Sequence, residues 1–295
     1  MGKKLALWGG GVCLAGLATY LYASRVAARS YRLEHVKIRL RRKNHRTNSD
    51  NLKILHLSDL HLCCPDEKKA AFLARVTDDD YDMVVITGDI FENLDSLVYV
   101  PSLLSKKPRL GAYAVLGNHD YYAYGWFNKT VGAVLRRFRT PATRRDVTPM
   151  IEALEAGGFQ VLRNEITRVP DEDIAIIGID YPGISEALLQ KLVEEVGANE
   201  MLMALFHLPR NLDMLSRLGI ELVLGGHTHG GQVRMPGIGA IVTDSEMPRH
   251  EAAGLIWRQD TAFHISRGLG TDPRTNFRLF CPPAVTVLEV IRQAQ

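Results

Sequence analysis

Five short apolar stretches of this chain each run into a cluster of Asp, Asn, His and Gly, and no other feature narrows the fold as much. Lys53–Ser58 leads into Asp59-Leu60-His61, Met83–Thr87 into Gly88-Asp89, and Gly111–Leu116 into Gly117-Asn118-His119-Asp120. Leu202–Phe206 leads into His207, and Glu221–Leu224 into a glycine pair followed by His227-Thr228-His229-Gly230-Gly231. Short apolar runs bounded by turn residues read as buried strands. Helical spacing over Glu67–Val76 and Leu94–Leu104 separates the first three. This β-α-β-α-β order predicts a parallel sheet with crossover helices. Open α/β sheets bind ligands just past the carboxyl ends of their strands, and all five clusters fall there.

The rest of the body continues the pattern. Helices are expected over 147–157, 184–195 and 210–217, and strands near 159–162, 165–168 and 173–179, with a β-rich end at 240–243, 253–258, 261–266 and 284–290. A chain of 295 residues that is 46% hydrophobic and 23% charged is ordinarily globular, which excludes wholesale disorder and fibrous repeats. Its length allows one large or two small domains. With no internal repeat, one α/β domain with two sheets is the economical reading. Four cysteines without any C-x-x-C exclude a disulfide framework and point to a reduced compartment.

Charge is unevenly distributed. The net charge is +3, yet residues 1–46 carry eleven Lys/Arg against Glu34 alone, so a basic arm precedes a mildly acidic body. Within the arm, the twenty residues Leu5–Ser24 carry no charge. As a helix they span about 30 Å, the thickness of a bilayer core. Trp8, Tyr20 and Tyr22 stand near the ends of the run, where amphipathic rings favour the interface. The sequence therefore predicts a transmembrane anchor over 1–28, a basic juxtamembrane arm over 29–50, and the main body over 51–295. A cleaved signal peptide competes through Val26-Ala27-Ala28, but Arg25 interrupts before that site and Arg29 and Arg32 follow at once. The excess of Lys/Arg after the span places the body in the cytoplasm. The arm suits anionic headgroups, with nucleic acid the less favoured partner for the same charges.

The clusters supply the carboxylates of Asp59 and Asp89, the amide oxygen of Asn118, and the imidazoles of His61, His119, His207, His227 and His229. Mixed oxygen and imidazole donors suit manganese, iron or zinc better than magnesium or calcium. In D-x-H and H-x-H both side chains project the same way if the segment is extended. Taken singly, D-x-H or Gly-Asp is an ordinary turn; G-N-H-D and G-H-T-H-G-G, in this order and at strand ends, are not. Outside the clusters, His56 and His264 read as hydrogen-bonded core residues. Cys63 and Cys64 read as a buried turn, and Arg267 as either a phosphate contact or a surface salt bridge. No P-loop, G-x-S-x-G, H-E-x-x-H or dinucleotide fingerprint is present.

Together the clusters resemble the calcineurin-like metallophosphoesterase superfamily, whose pattern is D-x-H, G-D, G-N-H-D/E, H and G-H-x-H, over residues 52 to 290. The resemblance implies a four-layer α/β/β/α sandwich holding two divalent metals, with manganese favoured and iron, zinc or magnesium open. It implies that Asp59, His61 and His229 hold the first metal, that Asn118, His207 and His227 hold the second, and that Asp89 bridges them. His119 would be the general acid or transition-state donor, with Asp120 orienting it. The complete set argues for turnover and against a silent scaffold.

Ala114–Tyr122, Gln160–Glu165 and Gly225–Gln232 are similar to a branch of small, membrane-associated bacterial phosphoesterases. That branch includes membrane-anchored UDP-2,3-diacylglucosamine pyrophosphatases, so the resemblance implies a lipid-linked phosphate substrate at the bacterial inner membrane. Within the same branch, a broad phosphodiesterase acting on phospholipids or nucleotides is the alternative. Residues 121–146 depart from the shortest members by their length. They mix aromatic residues with Arg136, Arg137 and Arg139 and read as an amphipathic surface helix or as a lid over an anionic lipid.

Overall fold

The computed structural model describes residues 13–41, 51–124, 142–243, 245–271 and 276–293. Its strands, in chain order, are β1 (Arg32–Arg41), β2 (Asn51–Leu57), β3 (Met83–Thr87), β4 (Ala112–Val115), β5 (Tyr122–Ala123), β6 (Thr143–Arg144), β7 (Phe159–Val161) and β8 (Glu165–Arg168). They continue with β9 (Ile174–Ile179), β10 (Met201–Phe206), β11 (Leu222–Gly225), β12 (Arg234–Met235), β13 (Gly239–Ala240), β14 (Gly254–Arg258), β15 (Thr261–Ile265) and β16 (Ala284–Gln293).

Two mixed six-stranded sheets form the body, in the orders β1-β16-β2-β3-β4-β7 and β14-β15-β11-β10-β9-β8. In the first, β2, β3, β4 and β7 run parallel, as crossover helices require, while β16 is antiparallel to β2. In the second, β9, β10, β11 and β15 run parallel between the antiparallel edges β8 and β14. Strands flanked on both faces should be apolar throughout. Accordingly, every residue of β3, β4, β9, β10 and β11 is buried.

Three apolar clusters set the layers. Ile54, Val85, Val115, Ile176, Met203 and Leu224 fill the space between the sheets. Leu55, Val84 and Ile86 pack outward against Phe72 and Leu73 of helix Glu67–Thr77 and Met150 and Leu154 of helix Thr148–Ala156. On the far side, Ile177, Ala204 and Val223 meet Leu189 and Leu192 of helix Glu186–Glu194 and Leu215 of helix Leu212–Arg217. The order is helix, sheet, sheet, helix. The helical stretch expected at Leu94–Leu104 is a 3-10 helix, Leu94–Leu103, with Pro101 inside it.

The basic arm differs from its expectation. The sequence reading assigns it no strand, yet residues 32–41 are β1, parallel to β16 from Arg32↔Ala284 to Arg41↔Gln293. Alternation explains it. Val36, Ile38 and Leu40 face the core between the sheets, while Lys37 and Arg39 point to solvent. Cations on an outer strand also deter pairing with other chains. Residues 42–50 lie outside the described residues.

Ahead of β1, residues 13–21 are α-helical, Tyr22–Val26 widen into a π-type turn, and Ala27–Arg29 close as a 3-10 turn. Among the described residues, no helix is long and apolar enough to cross a membrane. The first part of the expected span, up to residue 12, lies outside them. The end of this segment is docked on the body. Ala23 and Ala28 are buried, Arg278 N donates to Ala23 O at 3.1 Å, and Lys68 Nζ donates to Arg29 O at 3.1 Å.

Candidate metal centre

The loops after β2, β3, β4, β10 and β11 converge at one end of the two sheets. Asp59 N donates to Gly88 O at 3.0 Å, His61 N to Asp89 O at 2.9 Å, and Gly226 N to His207 O at 3.1 Å, which ties the loops together in pairs. Asp59, His61, Asp89, His227 and His229 all adopt left-handed backbone, with φ between 44° and 71°. The D-x-H and H-x-H segments are therefore tight turns, not the extended stretches expected. A non-glycine residue in that region costs about 1–3 kcal/mol and persists only where its surroundings over-determine it. At Gly88 (φ 77°) a Cβ would lie 2.6 Å from His207 Nδ1 and 2.7 Å from Gly117 N, so only glycine lets these loops meet.

The side chains fall into overlapping groups whose candidate donor atoms lie within 4.8 Å of one another: Asp59, His61, Asp89 and His229 in one, and Asp89, His207 and His227 in another. Asp89 belongs to both. Asn118 joins the second, its Oδ1 3.0 Å from His227 Nδ1 and 3.1 Å from His207 Nε2. In the first, His61 Nε2 stands 3.2 Å from His229 Nε2 and 3.7 Å from Asp89 Oδ2. All seven residues named as ligands are thus brought together.

Tautomers show what this donor set can hold. His61 Nδ1 lies 2.6 Å from Glu92 Oε1, and His207 Nδ1 lies 2.8 Å from Thr87 O. Ionised carboxylates and backbone carbonyls only accept, so each Nδ1 carries a proton and each Nε2 is the nitrogen left for a metal. Each Nε2 faces further acceptors, with His207 Nε2 only 3.3 Å from Asp89 Oδ2. Converging acceptors are unfavourable unless a cation or proton lies among them, and mixed imidazole and oxygen donors fit a divalent transition metal. Burial opposes ionisation of Asp89, but the imidazoles of His207 and His119 outweigh it and hold the carboxyl well below the usual range. Burial likewise lowers His207, yet the Asp89 carboxylate prevails and pushes it up to about 9. Metal must displace that proton, so affinity rises with pH.

Glu92 is the residue that sequence reasoning missed. Its Oε1 also stands 3.0 Å from His119 Nδ1, so one carboxylate oxygen joins His61, a candidate ligand, to the proposed acid. Those two hydrogen bonds overcome its burial and pull its carboxyl far below the usual range. Asp120, expected to orient His119, is turned elsewhere. Its Oδ1 accepts from Ile90 N (2.9 Å) and Phe91 N (3.1 Å), and its Oδ2 from Gly117 N (2.8 Å). Neighbouring residues of the short helix Asn118–Tyr121 point about 100° apart, which separates the two side chains. Asp120 fastens the loops, and burial together with the charge of Asp89 raises it to about 6.

The remaining expectations divide. Arg267 donates to Glu34 Oε1 on β1 at 2.7 Å, which favours the salt bridge over a phosphate contact. Arg136, Arg137 and Arg139 lie outside the described residues, as does most of 121–146. Cys63 and Cys64 are exposed rather than buried, and neither belongs to a candidate metal group among the described residues. His56 and His264 are core residues, with their Nδ1 atoms 2.9 Å apart and His56 Nε2 2.8 Å from Thr87 Oγ1. Arg278, fully buried, was not anticipated. It donates to Arg267 O (2.8 Å) and Gly268 O (3.1 Å) and backs His229.

A cleft of about 510 Å³ opens beside the cluster. One wall carries His61 and Glu92; the other is the end of the amino-terminal helical segment, with Ser24, Ala28 and Arg29.

Among known proteins, the family model for calcineurin-like phosphoesterases matches residues 52–231. The metallophosphoesterase YkoQ of Bacillus subtilis is 30% identical over 246 residues, covering 81% of this chain and 83% of its own. The phosphodiesterase YaeI of Escherichia coli is 27% identical over 259 residues, covering 83% and 84%. The UDP-2,3-diacylglucosamine pyrophosphatase LpxG of Chlamydia muridarum is 25% identical over 318 residues, covering 95% of each chain.

Proposed function

The chain belongs to the calcineurin-like phosphoesterase family, and from that premise we propose that it hydrolyses a lipid-linked phosphate at a membrane surface. It is a metallophosphoesterase, and the family works with a dinuclear divalent metal site. The substrate proposed is UDP-2,3-diacylglucosamine, cleaved to UMP and 2,3-diacylglucosamine 1-phosphate in lipid A synthesis. The observation that carries this reading is the cleft running from His61 and Glu92 to Ser24, Ala28 and Arg29. A phosphate reaching the cluster through that cleft passes the end of the segment read as the membrane anchor. The likeness to LpxG over 95% of both chains supports the same substrate.

Asp59, His61 and His229 would hold one ion, Asn118, His207 and His227 the other, and Asp89 would serve both. Two divalent ions held there, manganese for preference, would supply Lewis acidity and charge neutralisation for an in-line displacement. His119 gives the leaving oxygen its proton. Glu92, accepting from His119 Nδ1, steadies the charged ring and leaves Nε2 for the transfer. The anchor at 1–28 sits in a bacterial inner membrane with the body over 51–295 in the cytoplasm.

Release of UMP from UDP-2,3-diacylglucosamine with manganese, and rescue of a strain lacking that step, is the expected result. Turnover of a nitrophenyl phosphodiester with no UMP release and no rescue would favour the second reading, a broad phosphodiesterase. The likeness to YaeI favours that alternative. Protease added to intact spheroplasts should spare the body; digestion from outside would reverse the orientation.

A further inference from the structure

Several exposed apolar side chains lie along one path. Leu14, Leu17, Tyr20 and Leu21 are exposed on the amino-terminal helical segment, and Tyr22 and Val26 continue it. Across a groove of about 540 Å³ from Ala18, Thr19 and Tyr22 stand Leu279 and Phe280, the latter 64% exposed. Leu279 forms a bridge with Val233, and Arg234 N donates to Leu279 O at 3.0 Å, which attaches the β12–β13 hairpin to the same ridge. That hairpin and its flank carry Met235, Ile238, Ile241 and Val242, between 43% and 63% exposed. Surface hairpins normally place polar or small residues there, and a concentration of large apolar ones marks a contact site.

Depth identifies what covers it. Ala18 to Tyr22 lie within the uncharged run that ends at Ser24. At 1.5 Å per residue, Ala18 is about 9 Å inside the end of that run. Phe280 lines the groove with Ala18, Thr19 and Tyr22, and neighbouring Phe277 packs on Tyr20 with ring centroids 6.1 Å apart, so a bilayer that accepts the run meets this ridge and, through Leu279, the base of the hairpin. The surrounding charges agree: exposed Arg32 lines the groove, and exposed Arg249 lies beside Gly239 of β13. Cations beside a patch of apolar side chains suit the anionic headgroups that border the acyl region.

Resting on the reading of Leu5–Ser24 as a membrane anchor, we propose that Phe280 and the β12–β13 hairpin form a second contact with an anionic phospholipid bilayer. Two contacts fix the tilt of the body and hold the mouth of the cleft against the lipid surface, which a single helical tether does not do.

The test uses the full chain with its three tryptophans, Trp8, Trp126 and Trp257, changed to phenylalanine and one new tryptophan introduced by Ile238→Trp or, separately, by Phe280→Trp. Each chain is reconstituted into vesicles of phosphatidylethanolamine and phosphatidylglycerol, with acyl chains brominated near the headgroups. Both variants should float with the vesicles and lose their fluorescence to the bromines. Flotation without quenching at either position overturns the second contact and leaves the anchor reading standing. Quenching at 280 alone overturns the part played by the hairpin. Failure to float overturns the anchor reading and the second contact with it.

Discussion

Changing Glu92 to glutamine removes one negative charge while preserving shape, and the expected loss can be worked from the two contacts of Oε1. That oxygen lies 2.6 Å from His61 Nδ1 and 3.0 Å from His119 Nδ1. A hydrogen bond to a charged group contributes about 1.5–3 kcal/mol and a neutral one about 0.5–1.5, so two such exchanges cost about 2–3 kcal/mol. At 1.36 kcal/mol per factor of ten, this is a fall of roughly 30- to 160-fold in kcat/KM. The same order is typical for partners that orient metal ligands. The assay is turnover of a nitrophenyl phosphodiester at graded manganese, with bound metal measured on the same samples. Glu92→Gln should bind metal more weakly, through His61, and stay slow even when saturated, through His119. Full turnover restored by saturating manganese would leave His119 independent of Glu92. Normal affinity together with normal turnover would refute the role of Glu92 altogether.

His119→Ala should keep its metal while kcat falls by ~100-fold or more, the scale of a lost general acid; loss of metal along with activity would make His119 a ligand. Asp120→Asn places an amide where two oxygens accept three backbone N–H groups, and should lower unfolding stability by about 1–3 kcal/mol in urea titrations. An unchanged midpoint would contradict its role in fastening the loops. Burial holds His264 at about 4 in the folded chain, against about 6.5 when unfolded. Between those values the unfolded state binds more protons, so stability present above pH ~6.5 is lost as pH falls toward ~4, by roughly 3 kcal/mol. His264→Gln should flatten that acid limb, and an equal slope in both proteins would assign the loss elsewhere.

The parallel strands and the ligand loops were legible because each pairs a short apolar run with residues of unmistakable chemistry. β1 was not, since four of its ten residues are Lys or Arg and their charge drew attention from the alternation of Val36, Ile38 and Leu40. Charge density indicated an arm; period two indicated a strand, and burial of the inward row decided in favour of the strand. Within the site, chain adjacency misled. Asp120 follows His119 directly but faces away from it. Glu92 comes 27 residues before His119 and reaches it because the left-handed turn at Asp89 brings Ile90–Glu92 back beneath the cluster. An acidic residue three places after Gly-Asp was visible, but only the turn gives it meaning. Arg278 left no trace in the sequence, because its partners are backbone carbonyls from distant loops.

β16 lies between β1 and β2 and, among the described residues, is the only strand that β1 pairs with. Arg32 meets Ala284, so the first strand has no ladder partner until about 250 more residues have been made. At ~5–20 residues per second, that wait is roughly 10–50 s of elongation. For that interval, nothing in the sheet fastens the segment leading from the amino-terminal helix to the folding body. Closure of the sheet by its last strand is therefore also the step that sets the body's bearing on that helix. A lesion confined to Ala284–Gln293 should loosen that bearing and leave the segment held to the body by Arg278 N on Ala23 O and Lys68 Nζ on Arg29 O.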